Sequence, residues 1–173
     1  MSTILLVSII AVVVLAVPCI GVLSAIAIPA FIGFTRRSKV AEARSNLRVL
    51  ASAVDAYCEA EHVATGPAAI GAATTTGTLP AATGPIPSVI PVGAVVATPE
   101  LAADAVFSEL RFAPTEPIRY SYSIVAESPT AILIRARGDL DNDGITSLFE
   151  IRCTSSAGAC ECDRTVRVEN ELE

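Results

Sequence analysis

Thr35-Arg36-Arg37-Ser38-Lys39-Val40-Ala41-Glu42-Ala43-Arg44-Ser45-Asn46-Leu47-Arg48-Val49-Leu50-Ala51-Ser52-Ala53-Val54-Asp55-Ala56-Tyr57 is the stretch on which the fold turns. Val40, Ala43, Leu47, Leu50, Val54 and Tyr57 recur at alternating spacings of three and four, which draws a narrow apolar stripe along a helix. Arg37, Glu42, Arg44, Arg48, Asp55 and Glu59 fall off that stripe. No Gly or Pro interrupts residues 35–63, so the spacing predicts a helix unbroken to about His62. Such a stripe must lie against something, and the remainder of the chain is the available partner.

Toward the N-terminus the stripe gives way to a run that is apolar all round. From Met1 to Thr35 no side chain is charged, and Arg36 is the first to break the run. About 20 apolar residues as helix cross a bilayer core, and this run exceeds that. A cleaved secretory signal would need a basic leader and a short apolar core. Met1-Ser2-Thr3 has no Lys or Arg and the run is too long, so a permanent membrane segment is expected. The net charge of −6 is uneven. Arg36, Arg37, Lys39, Arg44 and Arg48 cluster beside the apolar run, and the rest is acidic, ending in Glu169, Glu171 and Glu173. Without interleaved aromatics the basic cluster does not point to nucleic acid, and lipid headgroups are its plain partner.

Topology signals conflict. The basic cluster would hold the C-terminal portion of the chain in the cytoplasm. The cysteines argue the reverse, because Cys153, Cys160 and Cys162 share one short polar stretch that reads as oxidised and extracytoplasmic.

Toward the C-terminus, residues 66–99 are rich in Ala, Thr, Gly and Pro and carry no charge. They read as a draped loop or as a segment with short strands of its own. Thr74, Thr75, Thr76, Thr78 and Thr83 are candidate acceptors of O-linked sugars, although an ordinary Thr-rich loop is the plainer reading. Pro99-Glu100-Leu101 opens a short helix through about Leu110. Residues 118–126, 131–137, 146–152 and 165–168 read as strands between turn clusters. The expected fold is α+β, a long N-terminal helix packed on an antiparallel sheet of about four strands. Its parts are a membrane half (1–35), an amphipathic half (36–62), a connecting loop (63–99) and a sheet head (100–173).

One motif is chemically sharp. Asp139-Leu140-Asp141-Asn142-Asp143-Gly144-Ile145-Thr146-Ser147-Leu148-Phe149-Glu150 fits D-x-D-x-[DN]-G-x5-E without exception. Alternate carboxylates converge on a hard cation, Gly144 permits the sharp turn, the Ile145 carbonyl adds an oxygen and Glu150 can close the shell. The expected cofactor is Ca²⁺, fixing the loop and its adjoining strands. The preceding run reads as a strand, so this is no true EF-hand, and the bland alternative is an acidic turn without metal.

Cys19 lies inside the apolar run as a free thiol, and Cys58, Cys153, Cys160 and Cys162 allow three pairings. If residues 146–153 and 164–168 form a hairpin, Cys153 and Cys162 come roughly opposite and Cys58 is left to tether Cys160. Cys160 and Cys162 with His62 match no usual zinc spacing. His62, the sole histidine, suits a helix end better than a Cys–His pair, which needs a third orienting group. With no nucleophile motif and no glycine-rich phosphate loop, an enzyme is not expected.

Gly21-Val22-Leu23-Ser24-Ala25-Ile26-Ala27-Ile28-Pro29-Ala30-Phe31, continued by Arg36-Arg37-Ser38-Lys39-Val40-Ala41-Glu42-Ala43, resembles the N-terminal helix of type IV pilins and type II secretion pseudopilins. The resemblance covers roughly residues 21–43. It implies a pilin-like fold and a structural subunit of an extracellular or periplasmic filament, partnered by the membrane and by copies of itself or other pilin-like subunits. It places the N-terminus in the cytoplasm and the head outside a bacterial inner membrane, which sides with the cysteines. It also implies assembly through Gly21, Ser24, Ala25, Ala27, Pro29 and Phe31, with Ala30 and Gly33 also small enough for close helix approach. The family's cleavage Gly, first mature Phe and fifth-position Glu would fall at Val7, Ser8 and Val12, so none is present. Pro18 is additional. These departures suit an alternative, an uncleaved, membrane-anchored, Ca²⁺-stabilised binding module that does not polymerise.

Overall fold

The computed structural model describes residues 3–60 and 77–172. The expected helix end near His62, and Thr74, Thr75 and Thr76, lie outside the described residues. Helix α1 spans Thr3–Glu59 with Pro18 and Pro29 inside it. Each proline lacks the N–H that would bond the carbonyl four residues earlier, which a helix in lipid tolerates when other groups satisfy it. The chain divides into two compact units, Met1–Ser38 and Lys39–Glu173.

The first unit is helix alone. Ile20, Val22, Leu23, Ile26, Ile28, Phe31 and Phe34 are all exposed. This is a helix long and apolar enough to cross a membrane. In water so much uncovered apolar surface would cost about 25 cal/mol for every Å².

The second unit is where the stripe finds its partner. Val40, Ala43, Leu47, Leu50, Val54 and Cys58 are buried, and Tyr57 packs at the margin of the same core. They meet one face of an antiparallel sheet of six strands: β1 (Thr83–Ile86), β2 (Ser121–Ser128), β3 (Ala131–Gly138), β4 (Ser147–Ser156), β5 (Ala159–Cys162) and β6 (Arg167–Glu169). The order is β1-β2-β3-β4-β5, and β6 also pairs with β4. Alternation sorts the faces. Tyr122 and Ile124 of β2, Ile132, Ile134 and Ala136 of β3, and Phe149, Ile151 and Cys153 of β4 are buried with the helix stripe. On the other face Ser123, Arg135, Glu150 and Arg167 stand in register across four strands.

The α+β architecture is the expected one, and the strand count is higher than four. β1 lies within the connecting segment and was hidden by Gly84 and Pro85, both rare in strands; an edge position tolerates them. β5 is four residues without a β-branched side chain. It is returned onto β4 by Ala157 and Gly158, both at positive φ (53° and 82°), the signature of a two-residue hairpin turn. The expected single helix near 99–110 is two, α2 (Thr98–Ala103) and α3 (Ala105–Glu109). Asp104 separates them, because its Oδ1 accepts the N–H groups of Val106 and Phe107 as an N-cap. Burial works to raise the Asp104 carboxyl, but hydrogen bonds from Thr83, Phe107 and Val106 outweigh it and hold the group below the usual range.

Candidate metal loop and disulfide clip

The acidic motif forms the β3–β4 connection, so it is flanked by strands. Gly138 leads into it where a Cβ would stand 2.6 Å from the Tyr120 ring. Asp139 is 7% exposed and organises the turn: Oδ1 accepts the Asn142 N–H at 2.6 Å and Oδ2 the Gly144 N–H at 3.1 Å. The Ile145 N–H donates to Asp143 Oδ1 at 2.7 Å. Asn142 (φ 62°) and Gly144 (φ 88°) take the left-handed conformation that lets the loop reverse, which is why Gly stands at the second position. Carboxylate oxygens of Asp139, Asp141 and Asp143 all lie within 4.8 Å of one another, a spacing at which three oxygens can share one cation. A parallel bridge from Val92 braces Asp139 from the connecting segment.

Glu150, the expected closing ligand, is placed elsewhere. It sits inside β4, opposite Arg135 on one side and Arg167 on the other. Its Oε1 accepts from Arg135 Nε at 2.6 Å, with the Glu150 side chain only 9% exposed. A buried carboxylate needs such a partner, and the strand supplies it before the loop can. Ile145 follows Gly144 in the loop with its side chain half exposed.

The cysteines form Cys58–Cys160 and Cys153–Cys162, with Cα separations of 5.9 and 3.9 Å, while Cys19 is free and exposed. The pairing is the one expected from sequence, by a different route. Cys162 lies opposite Cys153 through β5, whereas residues 167–169 pair with 148–150 at the other end of β4. Cys58 sits in the last turn of α1, so its bond ties the helix end to β5. Gly77 donates to the Cys58 carbonyl at 2.9 Å and presses on the β4–β5 turn, where a Cβ would come 2.5 Å from the Gly158 carbonyl carbon.

Two polar contacts to α1 were not anticipated. Glu42 accepts from the Arg119 backbone N–H at 2.7 Å and from its guanidinium at 2.9 Å. Asn46 Nδ2 donates to the Tyr122 hydroxyl at 2.7 Å. The available hint was Glu42 itself, an acid inside a basic stretch. Near the clip, Asp55 Oδ1 is buried without a hydrogen-bond partner. Burial pushes its carboxyl up, a backbone contact from Cys162 opposes this, and Glu59 and Glu161 add to the rise. The proposed assembly residues Gly21, Ala25, Ala27, Pro29 and Phe31 are exposed and Ser24 half exposed.

The chain was compared with known proteins, and it matches no family model, no curated sequence and no solved structure.

Proposed function

We propose that this protein is a pilin-like structural subunit of a type IV pilus-type filament, anchored in a bacterial inner membrane with its head outside the cytoplasm. The observation that carries the reading is the division of labour along one helix. Its first part is apolar and uncovered, and its second part buries a stripe under an antiparallel sheet. An uncovered apolar helix is satisfied by lipid, or by the same helices of neighbouring subunits, through Gly21, Ser24, Ala25, Ala27, Pro29 and Phe31. Two disulfides in the head suit an oxidising compartment. The head is further held by Ca²⁺ on Asp139, Asp141, Asp143 and the Ile145 carbonyl, with water completing the shell because Glu150 is engaged by Arg135. The ion's role is structural.

Val7, Ser8 and Val12, where cleavage and pairing residues would be required, favour a second reading. In it the chain stays uncleaved and the Ca²⁺-stabilised head works as a membrane-anchored binding module. Shearing native cells, pelleting the released material and taking the intact mass of this protein separates the two. Recovery in the sheared pellet supports the filament subunit, and the mass reports any processing. Recovery only in membranes at full length overturns it in favour of the anchored module.

A further inference from the structure

The sheet face turned away from α1 carries a groove of about 540 Å³, a size that suits a small ligand. Its floor is the outward side of β2 and β3, and its wall is β1 with the segment C-terminal to it. Gly84 allows the wall to come close, since a Cβ there would meet the Tyr122 carbonyl oxygen at 2.6 Å. On a chain of net charge −6, this lining holds two arginines and no carboxylate. Arg135 is already neutralised by Glu150 at 2.6 Å. Arg137, two residues along and on the same face, is exposed, and its side chain makes no ion pair or hydrogen bond among the described residues.

The hydroxyls narrow the ligand further. Thr83 Oγ1, half buried at the groove wall, gives its proton to Asp104 at 2.6 Å, while Ser121 Oγ is buried beneath the floor and tied to the Pro87 carbonyl at 2.6 Å. A hydroxyl whose proton is committed offers only lone pairs, so it seeks a donor. The groove therefore presents a fork of donors for an anion, acceptors for ligand hydroxyls, and the apolar surfaces of Pro85 and Ile90 for a hydrocarbon face. We propose that it binds a sugar acid of the uronate class, its carboxylate on the Arg137 guanidinium and its hydroxyls toward Thr83 and the half-buried Ser123. The site belongs to the head of a single chain and stands apart from any filament reading.

Saturation-transfer NMR with D-glucuronate on the full chain in detergent micelles tests it. Glucuronate gives signal where D-glucose gives little. Arg137→Gln weakens glucuronate about fivefold, the size of one exposed ion pair. Arg48→Gln, an equal charge change at an exposed helix position, leaves it unchanged; a melting curve matching the parent shows each variant folded. Equal signal from glucose, equal loss in both variants, or binding of a synthetic acidic hexapeptide in place of glucuronate would overturn the assignment.

Discussion

The two ends of the head are built on opposite principles. At one end Cys58 bonds to Cys160, Cys153 bonds to Cys162, and Gly77 locks against the β4–β5 turn. At the other end the entry to β2 is held by Glu42 and Asn46 of α1, and β3 passes to β4 through three clustered aspartates. One end is covalent and does not depend on solution conditions short of reduction. The other is electrostatic, and its loop concentrates like charge that backbone N–H groups to Asp139 and Asp143 ease in part. Between the two ends lies one continuous apolar core, from Val40 to Cys58 on the helix side and across β2, β3 and β4 on the sheet side.

Removing the covalent end should have the largest effect. Cys58→Ser with Cys160→Ser opens a link spanning 102 residues and is expected to cost about 4 kcal/mol, at the long-loop end of disulfide contributions. Denaturant unfolding of the oxidised parent and the double variant measures it, and a difference under about 1 kcal/mol would break the contrast. Leu50→Ala comes next. Leu50 is fully buried on the stripe midway between the two ends, and truncation should cost about 3 kcal/mol and weaken both together. Glu42→Gln should cost about 1–2 kcal/mol, because the bond to the Arg119 backbone N–H loses its charge assistance and the ion pair to the Arg119 guanidinium is lost at the electrostatic end. Its exchange signature should stay near residues 118–122.

The smallest effect has the opposite sign. The Asp55 carboxyl is held above its unfolded value chiefly by burial, with Glu59 and Glu161 adding to the rise. A raised carboxylate contributes stability only while protonated, and that contribution is lost as pH rises through the folded value. Asp55→Asn should therefore be slightly stabilising at neutral pH, and the gain should vanish below about pH 4, where the acid is protonated in both states. Melting temperatures at about pH 3.5 and 7 check this; a gain that persists in acid would show that charge is not the cause.

Much of this fold was legible because periodicity in one helix reports directly on burial. Val40, Ala43, Leu47, Leu50 and Val54 point inward as their spacing requires, and Ile132, Ile134 and Ala136 alternate as a half-buried strand must. What escaped had no periodic signal to give. β1 contains Gly84 and Pro85, β5 is held by pairing and a disulfide more than by propensity, and Asp104 breaks a helix that composition alone would continue. The site was readable in part for a similar reason. Asp139, Asp141 and Asp143 are neighbours in sequence, so local spacing brings them together. Glu150 is governed by register across the sheet, and only pairing of β3 with β4 reveals Arg135 as its partner. Motif spacing carries no knowledge of the opposite strand.

Hydrogen exchange on the full chain in micelles, with Ca²⁺ or EDTA and with or without reductant, tests the contrast between the two ends most directly. Chelation should speed exchange across residues 138–147 and at their neighbour Val92 while leaving 153–162 protected, and reduction should do the reverse. An EDTA profile that matches the Ca²⁺ profile throughout would contradict the metal at the electrostatic end, and uniform loosening by either treatment would contradict the division itself.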